Sequence, residues 1–174
     1  MFEFIRLEMH DRIAIITLNR PERFNAWHSP MRIEVAEAFQ ACNVNPDVQA
    51  IIVTGAGENA FSAGQDLAEA QEFDASRAVE WMGEWHAMYG AIRSMDKPVV
   101  AALNGVAAGS AFQVALLCDV RVGHAGSAMG QPEINSGIPS TLGPWLMQDM
   151  LGRSRTIELT LTGRMMDGVE CHTL

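Results

Sequence analysis

Cysteine is scarce in this chain of 174 residues: Cys42, Cys118 and Cys171 are an odd number, with no CxxC spacing and no paired histidines near them. That excludes a disulfide framework and a zinc site of ordinary spacing, and it leaves free thiols in a reducing compartment. Basic side chains are few as well. Twelve Lys and Arg against 21 Asp and Glu give a formal charge of −9, which argues against a nucleic-acid partner, since phosphate-backbone binders need clustered cations. Long apolar runs are missing: residues 50–53 and 98–103 are far too short to span a bilayer, so no membrane association is expected. The opening residues lack a basic start followed by an apolar block, and the expected location is cytoplasmic. No serine has glycine at both minus two and plus two, so the hydrolase elbow is absent. His10, His28, His86 and His124 are scattered without metal-ligand spacing and read as structural or solvated, and no metal site is expected.

What remains is an ordinary globular composition, 48% hydrophobic and 19% charged, in a length that suits one domain spanning residues 1–174. Runs at 2–7 and 12–18 predict an opening hairpin separated by residues 8–11. Ser29 followed by Pro30 reads as an N-cap with proline in the first turn, and Met31, Val35, Ala38, Phe39 and Cys42 mark one buried helical face. Residues 49–54 form a continuous apolar strand. Val79, Met82, Trp85, Met88, Tyr89 and Ile92 follow helical spacing, reading first as core and second as the wall of an acyl pocket. Strands follow at 97–103 and 120–122, a helix at 109–117, a loop at 123–130, then helices around Trp145 to Leu151 and at 153–161, capped by Gly152 and Gly163. This alternation predicts an α/β or mixed spiral architecture.

Two glycine-bearing turns stand out, each placed between a strand and a helix. Residues 61–67 read Phe-Ser-Ala-Gly-Gln-Asp-Leu, and residues 104–113 read Asn-Gly-Val-Ala-Ala-Gly-Ser-Ala-Phe-Gln. Such turns aim successive N–H groups at one point, and a helix N-terminus adds unpaired donors and a positive dipole end. Together they form a place for a negatively charged oxygen.

These turns, taken in order and spacing with residues 19–26, 53–57, 97–106, 118–121 and 131–134, resemble the crotonase (enoyl-CoA hydratase/isomerase) superfamily over nearly the whole chain. The resemblance implies a spiral of strand-strand-helix repeats, thioester substrates carried on coenzyme A, and an oxyanion hole of two main-chain N–H groups. Carried over by position, those donors are Gln65 and Ser110. It also implies that Ala63 contacts the adenine end of coenzyme A, that Asp66, Leu67 and Ala68 lie along the thioester and pantetheine path, and that Arg23 sits in the loop that meets coenzyme A phosphates. No separate cofactor is implied, only coenzyme A as part of the substrate. A homo-oligomer, trimer or hexamer, is the implied assembly. The family's further C-terminal helical segment is expected to be absent, so that the chain is a fragment.

Glu133, after Pro132 and among Met129, Ile134 and Ile138, is the expected acid/base: an apolar setting raises a carboxyl's proton affinity toward neutrality. Gln113 departs from the family pattern, where hydratases usually place a second glutamate. A glutamine hydrogen-bonds a water but does not take its proton, which favours double-bond isomerisation or other one-acid chemistry. Residues 133–143 also depart from the usual glycine-rich segment, and Asn135, Ser136, Ser140 and Thr141 offer polar contacts to an acyl group. Asp119 reads as structural, bonded to backbone or to Arg121. Two alternatives stand beside the enzyme: a non-catalytic paralogue that binds acyl-CoA, and a nicotinamide-dependent oxidoreductase. The second rests on Gly55-Ala-Gly-Glu-Asn-Ala60, which imitates part of the dinucleotide fingerprint without an acidic strand end some 20 positions on.

Overall fold

Alternating apolar residues near the start build an antiparallel hairpin. In the computed structural model, which describes residues 2–173, β1 (Ile5–His10) pairs with β2 (Ile13–Leu18), Ile5 opposite Leu18 and His10 opposite Ile13. The turn is therefore tighter than the expected 8–11. Glu8, Met9 and His10 belong to β1 because an edge strand leaves one side to water and tolerates polar residues. Asp11 takes the left-handed turn position at φ 53.

Helix α1 (Ser29–Val44) buries Met31, Val35, Ala38, Phe39 and Cys42, as their spacing predicts. Its N-cap is His28 in extended conformation, not Ser29. Pro30 sits in the first turn as expected, but the Ser29 hydroxyl donates to Glu84 Oε1 at 2.7 Å and so serves another helix.

The chain then repeats one unit. β3 (Ala50–Gly55) and β4 (Ala60–Ser62) lead to α2 (Leu67–Ala70) and α3 (Ala75–Arg93); β5 (Val99–Ala102) and β6 (Val106–Ala108) lead to α4 (Ser110–Leu117). β7 (Val120–Val122) and β8 (Ala128–Gly130) lead through a 3-10 turn, Pro132–Ser136, to α5 (Gly143–Leu151) and α6 (Arg153–Thr162). β9 (Met165–Asp167) and α7 (Gly168–His172) follow. The first strand of each pair joins a five-stranded sheet, β1-β2-β3-β5-β7, and the second joins a four-stranded sheet, β4-β6-β8-β9. Neighbouring repeats run parallel within each sheet, whereas β9 closes antiparallel on β8. This is the strand-strand-helix spiral, a mixed α/β fold.

Residues 128–130, expected as loop, are β8, and β6 separates the Gly105 turn from α4. Strands of three residues are too short for alternation to show, and they exist here because the neighbouring strand supplies their hydrogen bonds. Val79 is another correction: it is 74% exposed, and the buried stripe of α3 is Trp85, Met88, Tyr89, Ala91 and Ile92.

Two asparagines tie the strand-to-strand crossings that aim β4 at the site. Asn25, fully buried, accepts from Arg20 N at 3.0 Å and donates to the carbonyls of Ala56 and Ala60, both at 3.0 Å. Asn104 accepts from Gly55 N at 3.0 Å and donates to Gly57 O at 2.8 Å and Ala60 O at 3.1 Å. Each side chain replaces the ladder partners that a crossing loop lacks.

Candidate active site

The first turn leaves β4 at Ser62, whose hydroxyl accepts from Gly64 N at 3.1 Å. Trp27 N then donates to Gly64 O at 2.8 Å and Asp66 N donates to Trp27 O at 2.9 Å, which makes a parallel bridge between Trp27 and Gln65. In parallel pairing the residue between two bonded neighbours directs its own N–H to the other side. Gln65 N–H therefore turns away from Trp27, and Gln65 lines the main cavity.

The second turn is Gly109, at φ 58 and ψ −123, a conformation open only to glycine without strain. Its N–H donates to Gly130 O at 2.8 Å, and Ser110 starts α4, where first-turn N–H groups have no partner within the helix. Close packing joins the two turns. A Cβ at Gly64 would lie 2.5 Å from Ala108 O and 3.4 Å from Ser110 Oγ. No side chain fits between them.

Glu133 sits in the 3-10 turn after Pro132, with its carboxyl against the second turn: a Cβ at Gly109 would lie 2.9 Å from Glu133 Oε1. Gln131 Nε2 donates to that oxygen, while Oε2 is buried without a partner among the described residues. Burial raises the Glu133 pKa above the ordinary carboxyl value. The expected neighbours Ile134 and Met129 do not line the cavity, and Ile134 is 47% exposed; Ile138 does line it.

Gln113, on α4, is buried and its Oε1 accepts from Tyr89 Oη at 2.9 Å. The Tyr89 pKa is driven upward by burial and then by the nearby Glu133 charge, so the phenol stays protonated and donates. That bond uses one lone pair of Oε1 and orients the amide, and the Gln113 NH₂ is a donor it can offer the cavity.

The cavity measures about 920 Å³. Trp81, Met82, Trp85 and Tyr89 of α3 form one wall, and Ile138 and Leu142 lie on another side. Large side chains of α3 thus both pack the core and face the cavity. Ser136, Ser140 and Thr141 line it, whereas Asn135 instead donates to Gly163 O at 3.0 Å. His86 lines it as well.

The remaining expected residues divide between cavity and rim. Ala63 and Leu67 line the cavity, and Ala63 N donates to Phe24 O at 2.9 Å, next to the exposed Arg23. Asp66 is engaged elsewhere: it caps α2 by accepting from Ala68 N at 3.1 Å and pairs with Arg20 at 3.1 Å. Asp66, Ala68 and Arg23 are not among the cavity-lining residues. Asp119 accepts from Val99 N at 2.7 Å, the backbone role expected of it.

The dinucleotide alternative loses its basis. The segment after Gly55 runs into β4, not into a helix, so the N-terminal dipole and free N–H groups that hold a pyrophosphate are missing there. Sequence reasoning missed Arg32 and Gln131, and it placed Tyr89 on the pocket-lining helix without its bond to Gln113. Arg32 carried a signal: it lies three, four and seven positions before Val35, Ala36 and Phe39, on the buried stripe of α1.

Among the described residues no helix is long and apolar enough to cross a membrane. The family model for enoyl-CoA hydratase/isomerase matches residues 8–173. The chain is 34% identical over 160 residues to crotonyl-CoA hydratase of Syntrophomonas wolfei, covering 86% of this chain and 62% of that protein. It is 36% identical over 170 residues to a probable enoyl-CoA hydratase of Mycobacterium bovis, covering 97% of this chain and 65% of that protein. The solved enoyl-CoA hydratase of Geobacillus kaustophilus superposes with a TM-score of 0.91 at 32% identity, covering 99% of this chain and 66% of that one. The chain thus spans somewhat less than two thirds of the length of these curated relatives.

Proposed function

The chain belongs to the enoyl-CoA hydratase/isomerase family, within the crotonase superfamily, and from that premise we propose that it acts on acyl-CoA thioesters by holding an enolate oxygen on the N–H groups of Gln65 and Ser110. The observation that carries this is the contact between the Gly64 and Gly109 turns, with one buried carboxyl beside them. As a thioester loses its α-proton, charge moves to the carbonyl oxygen. Fixed main-chain donors there lower the barrier without reorganising, and each is typically worth about 3 kcal/mol.

Glu133 takes the α-proton. Its raised pKa brings it closer to the range in which one group both accepts and returns a proton. Isomerisation then balances with a single base: Glu133 removes a proton from one carbon of the enolate system and returns it to another, and the double bond moves between them. Hydration in the relatives' sense needs a second group to strip the water. Gln113 is an amide that Tyr89 holds in place, and it hydrogen-bonds a water without taking its proton. We therefore place this chain nearer the isomerase side, with Gln113 orienting an acyl oxygen or a water and not ionising.

Leu67 guides the thioester arm into the cavity, Ala63 meets the adenine end of coenzyme A, and Arg23 meets a phosphate of coenzyme A at the rim. Asp66 and Ala68 shape the arm's path through the α2 cap. Coenzyme A enters only as part of the substrate. A trimeric or hexameric assembly and a cytoplasmic location complete the proposal; sedimentation tests the former.

The deciding experiment incubates the protein in D₂O with a panel of saturated and unsaturated acyl-CoA thioesters. Deuterium uptake at the α-carbon supports an enolate-forming enzyme. Binding without uptake identifies an acyl-CoA-binding paralogue and overturns the proposal.

A further inference from the structure

Gln65 is a large residue at a position where only its main-chain N–H is proposed to act, and its side chain is fully engaged. Oε1 accepts from Arg32 at 3.1 Å and from Trp81 Nε1 at 3.0 Å; Nε2 donates to Glu69 Oε2 and to Asp66 O, both at 2.9 Å. At the centre is Arg32, with no exposed surface. Its guanidinium donates to Glu69 at 3.0 and 3.2 Å, to Glu84 at 2.7 and 3.0 Å, and to Trp27 O at 3.2 Å, and it stacks 5.3 Å from the Trp85 ring. Arg77 supplies the second positive charge, 2.7 Å from Glu84 and 3.7 Å from Glu69. Two carboxylates thus face two guanidinium groups.

The cluster joins three pieces of chain: α1 through Arg32, the oxyanion turn with α2 through Gln65 and Glu69, and α3 through Glu84 and Trp81. Trp27 is part of it twice, since its carbonyl accepts from both Arg32 and Asp66 N. On the other side Arg20 holds Asp66 at 3.1 Å. The turn carrying Gln65 is therefore clamped from both flanks, and Trp81, which lines the cavity, is bonded to the same amide.

We propose that Arg32 is a positioning residue of the active site: by seizing the Gln65 side chain together with Glu69 and Trp81, it fixes where the Gln65 main-chain N–H points and ties that direction to the acyl-pocket wall. The proposal rests on the Gln65 and Ser110 donor pair described above. A planar fork with five N–H donors reaches three acceptor groups and a carbonyl at once, which a lysine ammonium does not. A displacement of this donor by about 1 Å is enough to cost on the order of 10²-fold in rate.

The test uses Arg32→Lys and, because a buried guanidinium is also structural, Gln65→Met, which keeps the main-chain N–H and the ion pairs but removes the latch. The probe is a 4-dimethylaminocinnamoyl thioester of coenzyme A, whose absorption moves to the red when its carbonyl oxygen is polarised. Expected are a red shift on the wild-type protein, a shift at least halved in both variants, and kcat for α-proton exchange lowered about 10- to 100-fold with KM changed less than threefold. If the wild type binds the probe without a shift, the donor pair itself is wrong and the inference falls with it. If the wild type shifts and Gln65→Met shifts equally with unchanged kcat, the donor pair stands and the role of Arg32 is refuted. Should Arg32→Lys not fold, Gln65→Met decides.

Discussion

Ser110→Pro replaces one proposed oxyanion donor by a ring methylene while leaving the helix start intact. Ser110 is the first residue of α4, where proline is favoured because its fixed φ suits a helix start and its missing N–H is one the helix does not use. Gly109 before it, at φ 58 and ψ −123, lies outside the region that a following proline disfavours. The Ser110 hydroxyl is buried without a partner among the described residues, so its loss breaks no hydrogen bond there. Folding stability is therefore expected to stay near that of Ser110→Ala, which keeps the N–H. Removing one such donor costs about 3 to 4 kcal/mol of transition-state stabilisation, or roughly 10²- to 10³-fold in rate. The proline ring also projects where the oxygen would sit, so kcat/KM falls by at least that factor. The assay is α-proton exchange on the best thioester of the panel, with thermal melts alongside. A Ser110→Pro protein that melts with Ser110→Ala and exchanges within tenfold of it refutes the oxyanion assignment.

Further outcomes are expected. Glu133→Gln lowers exchange by about 10²- to 10⁴-fold, the usual worth of a positioned acid/base; retention of most turnover in a kinetic assay would remove Glu133 from the reaction. Burial holds the Glu133 pKa above its unfolded value, so exchange rises with pH through a midpoint above the ordinary carboxyl range. The same shift means the folded state binds the proton more tightly, so this group's stabilising contribution is complete below the unfolded pKa and is lost as pH rises through the folded one. Melts of wild type and Glu133→Gln against pH should accordingly diverge in favour of the variant on the alkaline side; parallel curves would contradict the shift. Gly109→Ala forces a Cβ to within 2.9 Å of Glu133 Oε1 at a positive φ, and it is expected to destabilise by about 1 to 3 kcal/mol and to abolish most exchange, checked by melting and by the deuterium assay. Gln113→Glu supplies the missing carboxylate with Tyr89 already in place as its donor, and hydration of a short enoyl-CoA should rise; no increase means the second carboxylate is not what limits that reaction.

Local chemistry made much of the molecule legible in the sequence. The buried stripe of α1, the Gly152 and Gly163 helix ends and the backbone role of Asp119 each depend on a few neighbouring residues whose spacing or conformational freedom is visible in one dimension. The ordered motifs likewise carried the family, and with it the spiral fold. Strands β6, β8 and β9 left no such mark, because three residues carry too little periodicity and take their shape from the strands beside them. Arg32 sat on a buried stripe, yet the acids that neutralise it come from 37 and 52 positions away. The Tyr89 to Gln113 bond, which orients that amide beside the cavity, spans 24 positions. Desolvation and ion pairing depend on what closes over a group from other turns of the spiral. The residue types of the site were therefore set by the chain itself, whereas their polarity, proton affinity and direction were decided only when the two sheets brought distant turns into contact.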